Sequence, residues 1–267
     1  MNDLISTPQH ESPQTGYQAA EPLKPPRRVA IGRGASWIYE GVSLFNLGMG
    51  TSVAILLLAM SIQIVGNLIP GANLLLSLFS LVFAAGFMAV AHGGHTRQQL
   101  RIADYFAGFR KNMGELVLAA AIYMGLFLAI FLVTVILAMI FGGWEILQLH
   151  MAAHFEGAIS ANEGLFLLFW ALVALLFVIP LLMMVIYAPP LILFHDIKAW
   201  PAMKLSMEAC WKNMLPLLWY SILAVLLTLL GGLMLLIGLL VVIPILNYAN
   251  YCAYRDIFLY DDGSISV

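Results

Sequence analysis

Charge is scarce in this sequence. Asp, Glu, Lys and Arg make up 10% of 267 residues, 62% are hydrophobic, and the mean hydropathy is +0.94. A soluble domain carries roughly 25% charged residues, so the composition excludes water as the solvent for most of the folded surface and calls for lipid. The net charge is −2 and basic residues form no long run, which excludes the electrostatic footprint of a nucleic-acid binder. Cysteine is nearly absent: Cys210 and Cys252 are too few for a disulfide framework. Charge is also missing locally. No acidic or basic residue lies between Glu40 and Arg97, and no Asp, Glu, Lys, Arg or His falls in the middle of a long apolar stretch. A charge at the bilayer centre costs about 2.5–3.5 kcal/mol, and proton or ion pathways keep such groups because they need them. The usual proton-coupled pump is therefore argued against. No G-x-S-x-G elbow occurs, and neither Gly32-Arg33-Gly34 nor Gly48-Met49-Gly50 completes a phosphate-binding fingerprint. No catalysis and no cofactor are expected.

What is present is a set of apolar runs long enough to cross a bilayer, which takes about 20 mostly apolar residues. Six qualify: 47–69, 72–91, 116–141, 165–187, 214–230 and 233–254. Pro70-Gly71 and Gly231-Gly232 mark tight reversals, where preset or permissive backbone angles are needed. The expected fold is thus an all-α polytopic membrane bundle. Residues 1–30, polar and rich in Pro and Gln, read as a disordered cytoplasmic tail without the apolar core of a signal peptide. Residues 31–258 read as the transmembrane domain and 259–267 as a short cytoplasmic tail. With both termini cytoplasmic, Lys24, Arg27, Arg28, Arg33, Arg97, Arg101, Arg110, Lys111, Lys198, Lys204, Lys212 and Arg255 all fall on one side, which accounts for all 12 basic residues. The opposite side has the two tight turns and segment 142–164, with Glu145, Glu156 and Glu163 and no Lys or Arg. Such a partition follows the positive-inside rule, and a wrong helix count would scatter it.

Each odd-numbered span is preceded by a segment with an apolar stripe at helical spacing. The stripes are Trp37, Gly41, Leu44 and Phe45; then Ile102, Tyr105, Phe106, Phe109 and Met113; then Trp200, Met203, Met207, Cys210 and Met214. Lys111-Asn112-Met113 matches Lys212-Asn213-Met214 at the membrane entry. The pattern predicts three transmembrane hairpins, each fed by an amphipathic helix resting in the headgroup layer.

Candidate sites are few. Glu40, His195, Asp196, Arg255 and Asp256, with Arg33 at similar depth, gather near the cytoplasmic ends of different helices. Acid and base at a membrane boundary make either a structural ion-pair belt or a site for a headgroup or partner. His150 and His154 lie four apart in the outer segment and are candidate metal ligands, but H-M-A-A-H lacks the Glu of a zincin and two imidazoles fall short of a zinc set. His92 and His95 form an inner pair in H-G-G-H, where Gly93-Gly94 argues against a helix. Neutral polar residues inside the spans are Ser61, Gln63, Asn67, Ser77, Thr134, Thr228, Asn247 and Asn250. They are expected to hydrogen-bond between helices, or to line a cavity.

Five stretches occur together and in order: G-R-G-A-S-W-I-Y-E-G (32–41), A-G-F (107–109), F-H-D (194–196), L-S-M-E-A-C-W-K-N (205–213) and Y-R-D-I-F (254–258). The set resembles a family of uncharacterised bacterial inner-membrane proteins with six helices. It is more distantly similar to the membrane domain that precedes some glycerophosphodiester phosphodiesterases, whose catalytic domain has no counterpart here. The likeness implies topology and an inner-membrane location rather than a reaction. The reading of function is a non-catalytic scaffold or accessory membrane component, with membrane lipids or another membrane protein as partners. The alternative is a carrier or binder of a lipid or small amphiphile, which requires the neutral polar residues, Gln63 and Asn247 above all, to face one cavity.

Overall fold

A computed structural model describes residues 22–152, 160–234 and 237–260. Every regular element among them is helical: α1 Arg33–Asn46, α2 Met49–Leu68, α3 Ala72–Leu78, α4 Ser80–Arg97, a 3-10 turn Ile102–Phe106, α5 Ala107–Arg110, α6 Met113–Ala138, a π turn Met139–Gly143, α7 Trp144–Ala152, α8 Ala161–Ile186, α9 Ala188–His195, α10 Ala199–Lys212, α11 Met214–Leu233 and α12 Ile237–Phe258. Five helical stretches are long and apolar enough to cross a membrane. The number is six when α3 and α4, bent by 47° at Phe79, are taken as one span. Their outer surfaces are apolar, as in Phe127, Leu128, Phe131 and Leu132 on α6 and Leu165, Leu172 and Leu176 on α8. Side chains of this kind on the outside are stable only against hydrocarbon.

The turns follow from local chemistry. Pro70-Gly71 reverses the chain between α2 and α3 with Gly71 at φ +81°, a left-handed conformation that glycine adopts without strain. The α6 stretch would run 36 residues to Gln148, about 54 Å at 1.5 Å per residue and well beyond a ~30 Å hydrocarbon core. It breaks at the π turn, where Gly142 takes φ +119°. A capping box starts α8: the Glu163 N–H donates to Ser160 Oγ and the Ser160 N–H to Glu163 Oε2.

Packing is tightest around α1. Its buried face is Gly34, Trp37, Glu40, Gly41, Leu44 and Phe45, which contains the whole first stripe. A Cβ on Gly41 would stand 2.6 Å from the Ile245 carbonyl oxygen, and one on Gly34 2.6 Å from that of Pro216. The absent side chains let α1 lie backbone to backbone on α12 and α11. Trp37 is fully buried and meets Tyr220 edge to face at 6.3 Å.

The structure departs from the sequence expectations in four places. The second stripe does not form one amphipathic helix. It folds as a 3-10 turn and a single α turn that run back along α4, with Tyr105 buried, Ile102 and Met113 exposed, and Asp104 turned inward to pair with Arg97. The aromatic groups pack on α4 instead, Phe109 on Phe79 and Phe83, and Tyr105 on Phe83 and Phe87. Of the third stripe, α10 buries Met203 and Cys210 but presents Trp200 and Met207 outward, and Met214, also exposed, opens α11. The buried face of α10 is made by small residues, Ala199, Ala202, Ser206 and Ala209. The Gly93-Gly94 pair sits inside α4, because a Cβ there would run into Arg97 or Leu100; close packing overrides weak helix propensity. Finally, residues 22–30, expected in the tail, have no regular secondary structure but are bonded to the end of α12. Lys24 N–H donates to the Phe258 carbonyl, Arg27 N–H to that of Ile257, and Lys24 Nζ to that of Leu259. The strap supplies donors and positive charge to the last carbonyls of a helix, which have no partner within it.

Candidate functional site

Two constellations lie on different parts of the bundle. The first is the ion-pair belt at its basic end. Asp256, 1% exposed, accepts from Arg27 Nη2, from Arg33 Nε at 2.5 Å and from Trp37 Nε1 at 2.9 Å. Arg33 also donates to Glu40 at 3.1 Å, and Arg27 Nε to the Asp256 backbone carbonyl at 2.8 Å. Burial pushes the Glu40 carboxyl up, against the opposing pull of Arg33. Asn213 closes the belt by accepting from Val29 N–H at 2.9 Å and donating to the Arg27 carbonyl at 2.9 Å. Arg33, Glu40, Arg255 and Asp256 are thus brought to one neighbourhood. Arg255 is 3% exposed and donates to His95 Nδ1 at 2.9 Å.

His195 and Asp196 lie at another edge. His195 Nε2 is 2.5 Å from the Tyr254 hydroxyl, and His92 Nδ1 3.0 Å from that of Tyr251. Asp196 is exposed, accepts from Asn112 at 2.6 Å and pairs with Lys111 at 3.2 Å. The Asn112 hydrogen bond and then the Lys111 ammonium hold its carboxyl below the usual range. The His150 side chain and all of His154 lie outside the described residues. Among the described residues no group of three His, Cys, Asp or Glu is placed to hold a metal ion.

The second constellation is a groove within the apolar part of the bundle. It measures about 440 Å³ and is bounded by α2, α4, the 3-10 turn and α12. Apolar and aromatic groups form its walls, among them Ala59, Met60, Ala84, Phe83 and Phe87, and its polar members are Gln63, Ser80, Tyr105 and Asn247. No charged residue among the described residues lines it. Gln63 stands about 21 Å along α2 from Met49, and Asn247 about 16 Å along α12 from Phe258. A hydrocarbon core of about 30 Å centred on these helices would contain both positions. Asn247 donates one amide hydrogen to the Ile243 carbonyl at 2.9 Å, leaving its other N–H and its carbonyl. The side chains of Gln63, Ser80 and Tyr105 make no hydrogen bond to a described residue. Burial pushes the Tyr105 phenol up to about 12, so it remains a neutral hydroxyl.

Four other polar residues of the spans bond within their own helices, as Asn247 does. Ser61, Asn67, Ser77 and Thr228 donate to the carbonyls of Leu57, Gln63, Asn73 and Ala224 on their own helices. The expected contacts between helices are thus replaced by the short reach to the carbonyl four residues back. Among the bonds between helices are those of Tyr220 to the Leu246 carbonyl and of Tyr248 with Ser52, each at 2.9 Å. A second groove of about 520 Å³, between α2 and α3, shares the Ile62 wall and is lined by apolar groups apart from Ser61, whose hydroxyl is already bonded.

Reading the sequence alone singled out Gln63 and Asn247 but missed Ser80 and Tyr105. Ser80 stands at a bend that no Pro or Gly marks, and Tyr105 reads as one member of an apolar stripe. Arg27 and Asn213 join the belt only through the strap, which gives no sign of its packing in the sequence. Comparison with protein-family models, with curated proteins and with solved structures returns no match.

Proposed function

We propose that this chain is a multi-pass protein of a bacterial inner membrane, with both termini cytoplasmic, that binds a lipid or small amphiphile in the groove around Gln63 and Asn247. One observation carries the reading: neutral polar side chains from four separate segments converge on a groove whose volume falls in the range of ligand pockets, about 300–1,000 Å³. A polar group without a partner in hydrocarbon costs several kcal/mol, so their convergence is better explained by a ligand than by helix packing. The orientation rests on the basic residues, which gather at the end where α1, α10 and the strap lie. Three hairpins remain the proposed layout, supported by the contacts of α2 with α3, α6 with α8 and α11 with α12.

The non-catalytic scaffold is the second reading, and the belt favours it. Its buried carboxylates are spent on arginines and Trp37, which ties the strap, α1 and α12 into one rigid end and leaves little capacity for a headgroup. The two readings are separated by filling the groove. Mass spectrometry of the lipid retained by purified protein is expected to show about one amphiphile per chain in the wild type. It is expected to show loss of that amphiphile in Ala59→Phe/Ala84→Phe at unchanged melting temperature. Equal lipid content in the filled variant would leave the scaffold as the better account.

A further inference from the structure

Resting on that reading, the groove chemistry narrows the class of ligand. Inside the groove stand two carboxamides, Gln63 and Asn247, and two hydroxyls, Ser80 and Tyr105, beside the rings of Phe83 and Phe87. Among the described residues no Lys, Arg, His, Asp or Glu lines it. A phosphate or carboxylate placed there would lose its hydration without meeting a counter-charge, a penalty far above what neutral donors return. A pure hydrocarbon chain would offer no partner to the Gln63 amide or to the remaining Asn247 N–H and carbonyl. The adjoining groove between α2 and α3 serves as an internal comparison. It has a similar size, but its polar member, Ser61, bonds the Leu57 carbonyl at 2.8 Å, so it suits chains alone.

We infer that the groove selects an uncharged amphiphile: an apolar chain bearing a carbonyl or hydroxyl group that meets Gln63 and Asn247 at mid-membrane depth, with its chain along Met60, Ile64 and Ala84. The carboxamides present both donors and acceptors, and the Tyr105 ring, held at 5.0 Å from Phe87 and 5.8 Å from Phe83, gives the polar group an aromatic floor. Two sources share this chemistry, a lipid lacking a phosphate headgroup and an isoprenoid quinone. The first brings a hydroxyl as well as carbonyls, the second carbonyls only.

The test is native mass spectrometry of the full chain released from nanodiscs loaded in parallel with dioleoylglycerol, dioleoylphosphatidic acid or a long-chain isoprenoid quinone. The first two share their acyl chains and differ in the phosphate. Retention of dioleoylglycerol or of the quinone over phosphatidic acid supports the inference, and whichever is retained more names the source. Gln63→Leu/Asn247→Leu is expected to weaken that neutral ligand roughly tenfold, as loss of two neutral hydrogen bonds implies, and to leave phosphatidic acid unchanged. Gln63→Leu alone, on the exposed side of α2, gives the same direction without touching the helix contacts of Asn247. Phosphatidic acid held as well as or better than the neutral probes, and displaced by Ala59→Phe/Ala84→Phe, overturns the assigned class while the groove stands. Retention of every probe unaffected by filling overturns the groove itself.

Discussion

Replacing Asp256 by Asn tests whether the belt holds the basic end together. The substitution keeps the shape of the side chain but removes its charge and one acceptor oxygen. Arg27 and Arg33, whose side chains are 33% and 23% exposed, then lose their common anion, and the Trp37 N–H keeps at best a weaker acceptor. Removing one partner of a buried ion pair costs about 3–5 kcal/mol. Both guanidinium groups retain some access to solvent and Arg33 keeps Glu40, so the lower end, about 3 kcal/mol, applies. At about 2–4 °C per kcal/mol for a chain of this size, the melting temperature should fall by roughly 6–12 °C. A thiol-reactive fluorophore reads the transition in detergent, because Cys210 and Cys252 are both free and buried, and burial pushes the Cys210 thiol up to about 12. Asp196→Asn is the control: its carboxylate is exposed and pairs only at the surface, where such pairs contribute about 0–1 kcal/mol. Equal melting temperatures for Asp256→Asn and Asp196→Asn would refute the reasoning.

Three further outcomes are expected. Gly41→Ala places a methyl group 2.6 Å from the Ile245 carbonyl and should destabilise by about 1–3 kcal/mol in the same thermal assay, whereas Gly50→Ala, with open space around it, should be neutral or slightly stabilising. Because burial raises the Glu40 carboxyl, its proton is held more tightly in the folded than in the unfolded state. Wild-type stability should therefore fall as pH rises from the ordinary glutamate value of 4.5 through the folded one, and melting curves of Glu40→Gln should lack that slope. Single cysteines at Lys204 and Arg101, on a background without Cys210 and Cys252, should react with a membrane-impermeant maleimide from the cytoplasmic face only, and one at Glu163 from the opposite face only.

The spans and the face of α1 were legible because their signals are local. Apolar length and a stripe at Trp37, Gly41, Leu44 and Phe45 depend on residues within one helix. Signals that depend on tertiary packing are not legible in this way. Asp104 looks like the solvent side of an amphipathic helix until Arg97 draws it inward, and Gly93-Gly94 looks like a break until the packing of Leu100 and Arg97 calls for two residues without side chains. The strap was hidden for the same reason, since a Pro-rich polar run gives no sign that the carbonyls of Ile257 and Phe258 need its donors. Of the group read from depth and charge, Arg33, Glu40, Arg255 and Asp256 share one neighbourhood, whereas His195 and Asp196 lie at another edge. Groove membership was only half legible: residues 63 and 247 stand out as amides in apolar runs, whereas Ser80 and Tyr105 join them through the 47° bend at Phe79 and the return of the 3-10 turn along α4.

The most direct test of the central claim is an experimental structure of the wild-type chain in nanodiscs of native lipid. The account predicts elongated density between α2, α4 and α12, with a polar group in hydrogen-bond reach of Gln63 and Asn247 and no phosphate within the groove. A closed, dry contact in its place, with the two carboxamides facing unrelated interfaces, would contradict it.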